Sequence, residues 1–194
     1  RRSRDIWSEI APEAGIEVIQ RGLLVAARRP EALAVLEAFA TTPMGSECEL
    51  LGPAGVAERY PMLGPVAGAL VSPHELRVES RDAIPRLARW LAEAHGVTFH
   101  YGTSVIAADG EGVETSRGRF SAGAVVVCPG DDFGTLLPHR LADYGLTRCK
   151  LHMMRLGAPA EPLPIPVMSD LGLVRYLGYA ELPEARALEQ RLQA

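Results

Sequence analysis

An apolar run, Ala124-Val125-Val126-Val127-Cys128, sets the strongest limit on the fold of this chain, and it ends at Pro129-Gly130. A strand with one face in water alternates apolar and polar residues, whereas a continuous apolar run is typical of a strand covered on both faces in a parallel sheet. In doubly wound sheets, ligands bind outside the carboxyl ends of such strands. Because glycine has no Cβ, the backbone there can approach a ligand closely. The run therefore predicts a dinucleotide beside residues 128–130; an ordinary strand-ending turn is the alternative.

A helix and a meander of strands precede this run. Ile84, Leu87 and Leu91 share one helical face, and the helix is predicted to end at Gly96. We place its start at Asp82, because an earlier start would cost a helical hydrogen bond at Pro85. The next strands are predicted at 97–101, 102–107, 113–115 and around 120, with turns at 109–110 and 117–118.

The rest of the chain mixes shorter helices and strands. Helices are predicted at 3–11, 30–40, 53–59 and 182–193, and strands at 17–27, 49–51, 66–71 and 146–156. Gly22 is predicted to form a turn or a bulge within 17–27. A polar loop is predicted at 72–77, and a proline-rich loop at 158–166.

Charge, cysteine content and hydropathy exclude several classes of protein. The net charge of -4 disfavours nucleic-acid binding, which needs a clustered basic excess. Cys48, Cys128 and Cys149 cannot all pair and form no C-x-x-C, so we expect a reducing, cytoplasmic location and neither a disulfide framework nor a metal site. No apolar run reaches the length of a membrane span, so no integral membrane segment is predicted.

The segments GVTFHYGTSVIA and GVETSRGRFSAGAVVVCPG occur in an order that resembles the FAD-dependent oxidoreductases of the D-amino-acid oxidase, glycine oxidase and sarcosine oxidase superfamily. The resemblance implies that Val105 contacts the adenine through its backbone, and that Cys128, Pro129 and Gly130 lie beside the cofactor, FAD. The segments GALVSPHELRVESRDAIPRLARWLAEAHGV and LTRCKLHMMRL look like that family's crossover helix and a returning strand. Within the family, the chain looks similar to a subgroup proposed to oxidise aminophosphonates.

The resemblance also implies a fold class and a domain division. We expect an α/β fold with α+β character, in which part of an FAD-binding Rossmann-like domain joins an antiparallel-sheet substrate domain. Residues 1–80 and 141–194 are assigned to the substrate domain, and 81–140 to the FAD-binding domain. The G-x-G-x-x-G segment that would bind the pyrophosphate is missing. We therefore expect an internal portion of an enzyme that binds FAD weakly by itself and self-associates as a homo-oligomer.

Candidate catalytic residues follow from the chemistry of amine oxidation. Hydride transfer to a flavin requires a neutral amine, a clamp for the substrate's anionic group and a fixed geometry. Arg77 is predicted to be the clamp, with Arg155 as a second candidate, because a guanidinium binds two oxygens at once. His74 and His152 are predicted to tune the flavin or accept the amine proton; the alternative for all four is a structural or surface role.

The predicted function is FAD-dependent oxidation of a small amine or amino acid, with an aminophosphonate as one possible substrate. The alternative is a non-catalytic ligand-binding or interaction module that keeps the same fold.

Overall fold

The computed structural model describes residues 2–157 and 159–193, which divide into two compact units. The larger unit contains the chain up to Gly96 together with the chain that follows Gly157, and the smaller unit is Val97–Gly157. The domain boundaries inferred from the sequence, after residues 80 and 140, stay predictions.

The helices are α1 (Arg2–Glu13), α2 (Pro30–Ala40), α3 (Pro53–Arg59), α4 (Ser80–His95), α5 (Pro138–Ala142), α6 (Leu177–Ala180) and α7 (Ala185–Gln193). The strands are β1 (Gln20–Ala27), β2 (Glu49–Leu51), β3 (Gly68–Arg77), β4 (Val105–Ala108), β5 (Gly112–Thr115), β6 (Gly118–Ser121) and β7 (Val167–Ser169). Short 3-10 helices occupy Pro61–Leu63 and Asp170–Val174.

The larger unit is built on a four-stranded sheet in the order β2-β3-β1-β7. Strand β3 is antiparallel to both of its neighbours, whereas β7 runs parallel to β1. Leu24 and Val25 are consecutive on β1 and fully buried, yet they belong to different apolar clusters. Since consecutive side chains on a strand point to opposite faces, the sheet is covered on both sides.

Helix α2 packs through its apolar face against the core of the larger unit. Pro30 begins α2, where its missing N–H costs no hydrogen bond, and α2 buries Val35, Leu36 and Phe39. These residues share a cluster with Leu188 of α7. The end of α2 lies next to the carboxyl half of β3, since Phe39 lines a cavity together with His74 and Glu75.

A bulge interrupts the pairing of β1 with β3. Arg21 pairs with Leu76 and Leu23 pairs with Ser72, so Gly22 alone faces the three residues Pro73–Glu75. Gly22 has a φ of 79°, a conformation that favours glycine. The predicted bulge at Gly22 is confirmed. The predicted polar loop at 72–77 is wrong, because β1 supplies pairing partners on both sides of the bulge and β3 continues to Arg77.

Helix α4 begins two residues before the predicted start. The side chain of Glu79 caps the helix by accepting a hydrogen bond from the Arg81 amide at 3.3 Å. Pro85 consequently lies inside the helix, so the start predicted at Asp82 is wrong. The cap offsets the hydrogen bond lost at the proline.

The smaller unit contains the predicted meander as an antiparallel sheet in the order β4-β5-β6. The strands predicted at 97–101, 124–128 and 146–156 are wrong. Val126, at the centre of the apolar run, is 85% exposed instead of buried. A strand needs a neighbour to form ladder hydrogen bonds, and within the described ranges these three segments pair with no strand.

Candidate functional site

A cavity of about 420 Å³ in the smaller unit contains most of the predicted cofactor-binding residues. Val105, at the start of β4, lines it together with Cys128 and Pro129. Gly130 follows with a φ of 62°, which turns the chain at the rim. The other lining residues are Ser104, Ala108, Val113, Val125, Val126, Val127, Asp132, Thr135 and Leu136. Two segments, 104–113 and 125–136, therefore meet around one cavity, while their contact with a cofactor stays a prediction.

The lining of this cavity fits the ring portions of FAD better than its pyrophosphate. Apolar side chains form most of the wall, and such surfaces suit a flat aromatic ring. Hydrogen bonds from Thr135 and from the Gly134 amide lower the pKa of Asp132 below its usual value. Asp132 therefore stays ionised at neutral pH, and its negative charge disfavours a phosphate at that end of the cavity.

His74, on the bulged part of β3, is held by hydrogen bonds at both ring nitrogens. Nδ1 lies 2.9 Å from a guanidinium nitrogen of Arg4, and Nε2 lies 3.1 Å from the carbonyl oxygen of Ser46. Arginine has only donors and a carbonyl only accepts, so Nδ1 is the acceptor and Nε2 carries the hydrogen. Both ring nitrogens of His74 are thus engaged within the chain.

Arg77 lies at the end of β3, beside the proline-rich segment. Its guanidinium donates to the side-chain oxygen of Gln20 at 3.0 Å, and Gln20 in turn donates to the carbonyl oxygen of Leu163 at 2.6 Å. Arg77 lines a cavity of about 750 Å³ together with Ile19, Gln20, Pro159, Pro162, Leu163, Pro164, Ile165 and Pro166. Arg77 is exposed, so a planar anion could reach it.

His152 and its neighbours Lys150 and Arg155 are exposed and lie in a segment without regular structure. The alternation expected along a strand is therefore absent at these positions. Their proposed roles in catalysis stay predictions.

Two residues that sequence reasoning missed form a second polar feature of the larger unit. The Oε2 atom of Glu75 is buried and has no hydrogen-bond partner among the residues that the structure describes. Burial, followed by the electrostatic effects of Glu75 and Cys48, raises the pKa of Tyr179 to about 12. Glu75 lies beside His74 in the segment that the sequence predicted as a polar loop, but no sequence signal links Tyr179 to it.

A spectrophotometric titration should resolve the ionisation of Tyr179. One tyrosine is expected to ionise at about 12, and Tyr179→Phe should remove that step alone. Because the pKa in the folded state exceeds the usual value of 10.0, this group stabilises the fold fully below pH 10.0, and its contribution is lost as the pH rises to about 12. An unchanged titration curve in Tyr179→Phe would contradict the assignment.

Neither a cluster of metal ligands nor a membrane-spanning helix occurs among the residues that the structure describes. In residues 2–157 and 159–193, no group of three or more His, Cys, Asp or Glu side chains is arranged to hold a metal ion. Over the same ranges, every helix is too short or too polar to cross a bilayer.

Comparison with known structures shows the fold. The chain is similar to glycine oxidase from Geobacillus kaustophilus, with 24% identity and a TM-score of 0.62 over 87% of this chain and 49% of that one. Glycine oxidase from Bacillus cereus ATCC 14579 is 22% identical, with a TM-score of 0.59 over 74% of this chain and 43% of that one. L-proline dehydrogenase from P. horikoshii is 21% identical, with a TM-score of 0.52 over 63% of this chain and 35% of that one. The chain therefore spans less than half the length of each of these structures, and the α/β fold class is confirmed.

Sequence comparison shows the family. No curated protein sequence matches the chain. Residues 1–178, however, match the model of the FAD dependent oxidoreductase (DAO) family. Since this match covers most of the 194 residues, the chain belongs to the FAD-dependent oxidoreductases of the DAO family.

Proposed function

We propose that this protein oxidises a small amine or amino acid with FAD as the cofactor, and that an aminophosphonate is one possible substrate. The observation that carries the proposal is the cavity of the smaller unit, where Val105, Cys128 and Pro129 lie together in a chain of an FAD-dependent family. The similarity of the fold to glycine oxidase and proline dehydrogenase supports an amine or amino acid as the substrate.

Each residue has a distinct proposed role. FAD, when bound, supplies the hydride acceptor for the oxidation. Val105 and residues 128–130 would hold a ring of the cofactor through main-chain and apolar contacts. Arg77 would bind the carboxylate or phosphonate of the substrate through two hydrogen bonds and so orient its α-carbon. His74 would fix Arg4 beside the bulge, and His152 would accept the amine proton.

Flavin binding tests the cofactor site directly. In the protein expressed from its complete gene, Val105→Trp should fill the cavity and raise the dissociation constant for FAD by about tenfold or more, equivalent to ~1.4 kcal/mol. Ile106→Trp is the matched control, because Ile106 neighbours Val105 on β4, is 63% exposed and does not line the cavity. Equal affinities in the two variants, measured by quenching of flavin fluorescence, would contradict the site.

Flavin reduction tests the activity. Glycine or aminomethylphosphonate, mixed with the yellow protein without oxygen, should bleach the absorbance of oxidised flavin, because the hydride moves to the ring. Colour that persists with all small amines tested would favour the non-catalytic binding module instead.

Substitution of Arg77 tests the anion clamp. Arg77→Ala should raise the KM for an acidic amine by about tenfold to a hundredfold, because a charged hydrogen bond contributes roughly 1.5–3 kcal/mol. Arg77→Lys should have a KM nearly as high as that of Arg77→Ala, since an ammonium cannot bind two oxygens in the same planar way. Arg81→Ala, at an exposed position of α4, is the control; an equal KM in Arg77→Ala and Arg81→Ala would exclude the clamp.

A further inference from the structure

The bulge in β3 directs polar side chains into a second cavity of the larger unit. Bulges change the direction of side chains along a strand and are enriched beside functional sites. Here the bulge adds Pro73–Glu75 opposite the single residue Gly22. The cavity measures about 390 Å³, and its lining is Phe39, Pro43, Met44, Cys48, Ser72, His74, Glu75 and Tyr179.

One oxygen of the half-buried Glu75 has no hydrogen-bond partner among the described residues. This atom, Oε2, is shielded from solvent. A buried acceptor without a partner is costly, and the cost is greater for a charged one. The nearby cation Arg4 is committed elsewhere, because it pairs with Asp5 at 2.7 Å and with His74 at 2.9 Å. Glu75 is therefore suited to a cation that comes from outside the chain.

The other walls of the cavity suit an organic cation. The rings of Phe39 and Tyr179 lie with their centroids 4.3 Å apart, and aromatic faces attract ammonium groups. Glu75 lines the same cavity as these two rings, so its carboxylate and the aromatic wall can contact one bound ligand. The thioether of Met44 adds a polarisable apolar surface for a short alkyl group. Both ring nitrogens of His74 already have hydrogen-bond partners, Arg4 and the carbonyl oxygen of Ser46.

We infer that the cavity beside the β3 bulge binds a small organic ammonium ion, with Glu75 as its counter-ion and the rings of Phe39 and Tyr179 as its apolar wall. Binding there needs no redox chemistry, so the inference goes beyond the proposed oxidation. It stands or falls on ammonium binding, whether or not the protein oxidises amines.

Calorimetric titration of ethylammonium chloride into the full-length protein, without oxygen, tests this site. Glu75→Gln keeps the shape and removes the charge, so the dissociation constant should rise by about tenfold or more, equivalent to ~1.4 kcal/mol. Glu58→Gln is the matched control, because Glu58 is an exposed glutamate on α3 and should leave binding unchanged. Equal binding in wild type and Glu75→Gln, or no binding to wild type, would overturn the inference.

A measurement on the unsubstituted protein covers the case in which Glu75→Gln does not fold. Nuclear Overhauser effects are expected between the methyl protons of ethylammonium and the ring protons of Phe39 and Tyr179. Acetate, of similar size and opposite charge, should give none. Contacts from both ions, or from neither, would refute a cation site at this place.

Discussion

Gly22→Ala is expected to lower the free energy of unfolding by about 3 kcal/mol, as measured by urea denaturation. A side chain at a φ of 79° is strained. The new Cβ would also lie 2.8 Å from the carbonyl oxygen of Ser72 and 3.1 Å from the Cδ1 atom of Ile165. Both neighbours are held by the sheet and its core, so the bulge itself must shift. Because the bulge places Glu75, ammonium binding should weaken as well.

Two other glycines separate the causes of this effect. Gly64 has a φ of 66°, and no atom lies within 4 Å of the position that an added Cβ would take. Gly64→Ala should therefore lower the free energy of unfolding by the conformational strain alone, about 1 kcal/mol. Gly52, also with open space, has a φ of -73°, so Gly52→Ala should show neither effect. A loss in Gly22→Ala no larger than that in Gly64→Ala would contradict the close approach of the two strands.

Arg29→Ala is expected to lower the free energy of unfolding by about 3 kcal/mol, because it leaves a buried carboxylate without its partner. Arg29 donates to Asp170 at 2.7 Å and joins the start of α2 to the 3-10 helix Asp170–Val174. The side chain of Asp170 is 4% exposed, whereas that of Arg29 is 40% exposed. Asp170→Ala should therefore cost less than Arg29→Ala, since water can still solvate the arginine.

Arg59→Ala provides the comparison at the surface. Arg59 pairs with Glu49 at 2.6 Å, but both side chains are about half exposed. Exposed ion pairs contribute at most ~1 kcal/mol, so Arg59→Ala should have a small effect. Thermal or urea denaturation of the three variants should rank Arg29→Ala as the least stable; an equal loss from Arg59→Ala would show that burial of Asp170 is not the cause.

The elements predicted best are those that local signals define. Helices α2 and α3 have the predicted bounds, because a proline begins each one. The bulge at Gly22 was predicted because an isolated glycine within a strand pattern marks such a break. The meander β4-β5-β6 was predicted from its turns at 109–110 and 117–118.

The candidate sites were only partly predictable. Val105, Cys128 and Pro129 were named from the order of motifs, and the fold brings them to one cavity. The cavity shared by Glu75 and Tyr179 was missed, because more than a hundred residues separate them in the sequence.

The sequence by itself determined where α2 and α3 begin and where the chain turns between β4, β5 and β6, because proline and glycine effects act within a few residues. The order of its motifs also indicated the family. The tertiary structure decided which extended segments become strands and which polar groups share a cavity. The apolar run 124–128 shows the reason: apolar character favours burial, but a strand forms only where another strand supplies its hydrogen bonds.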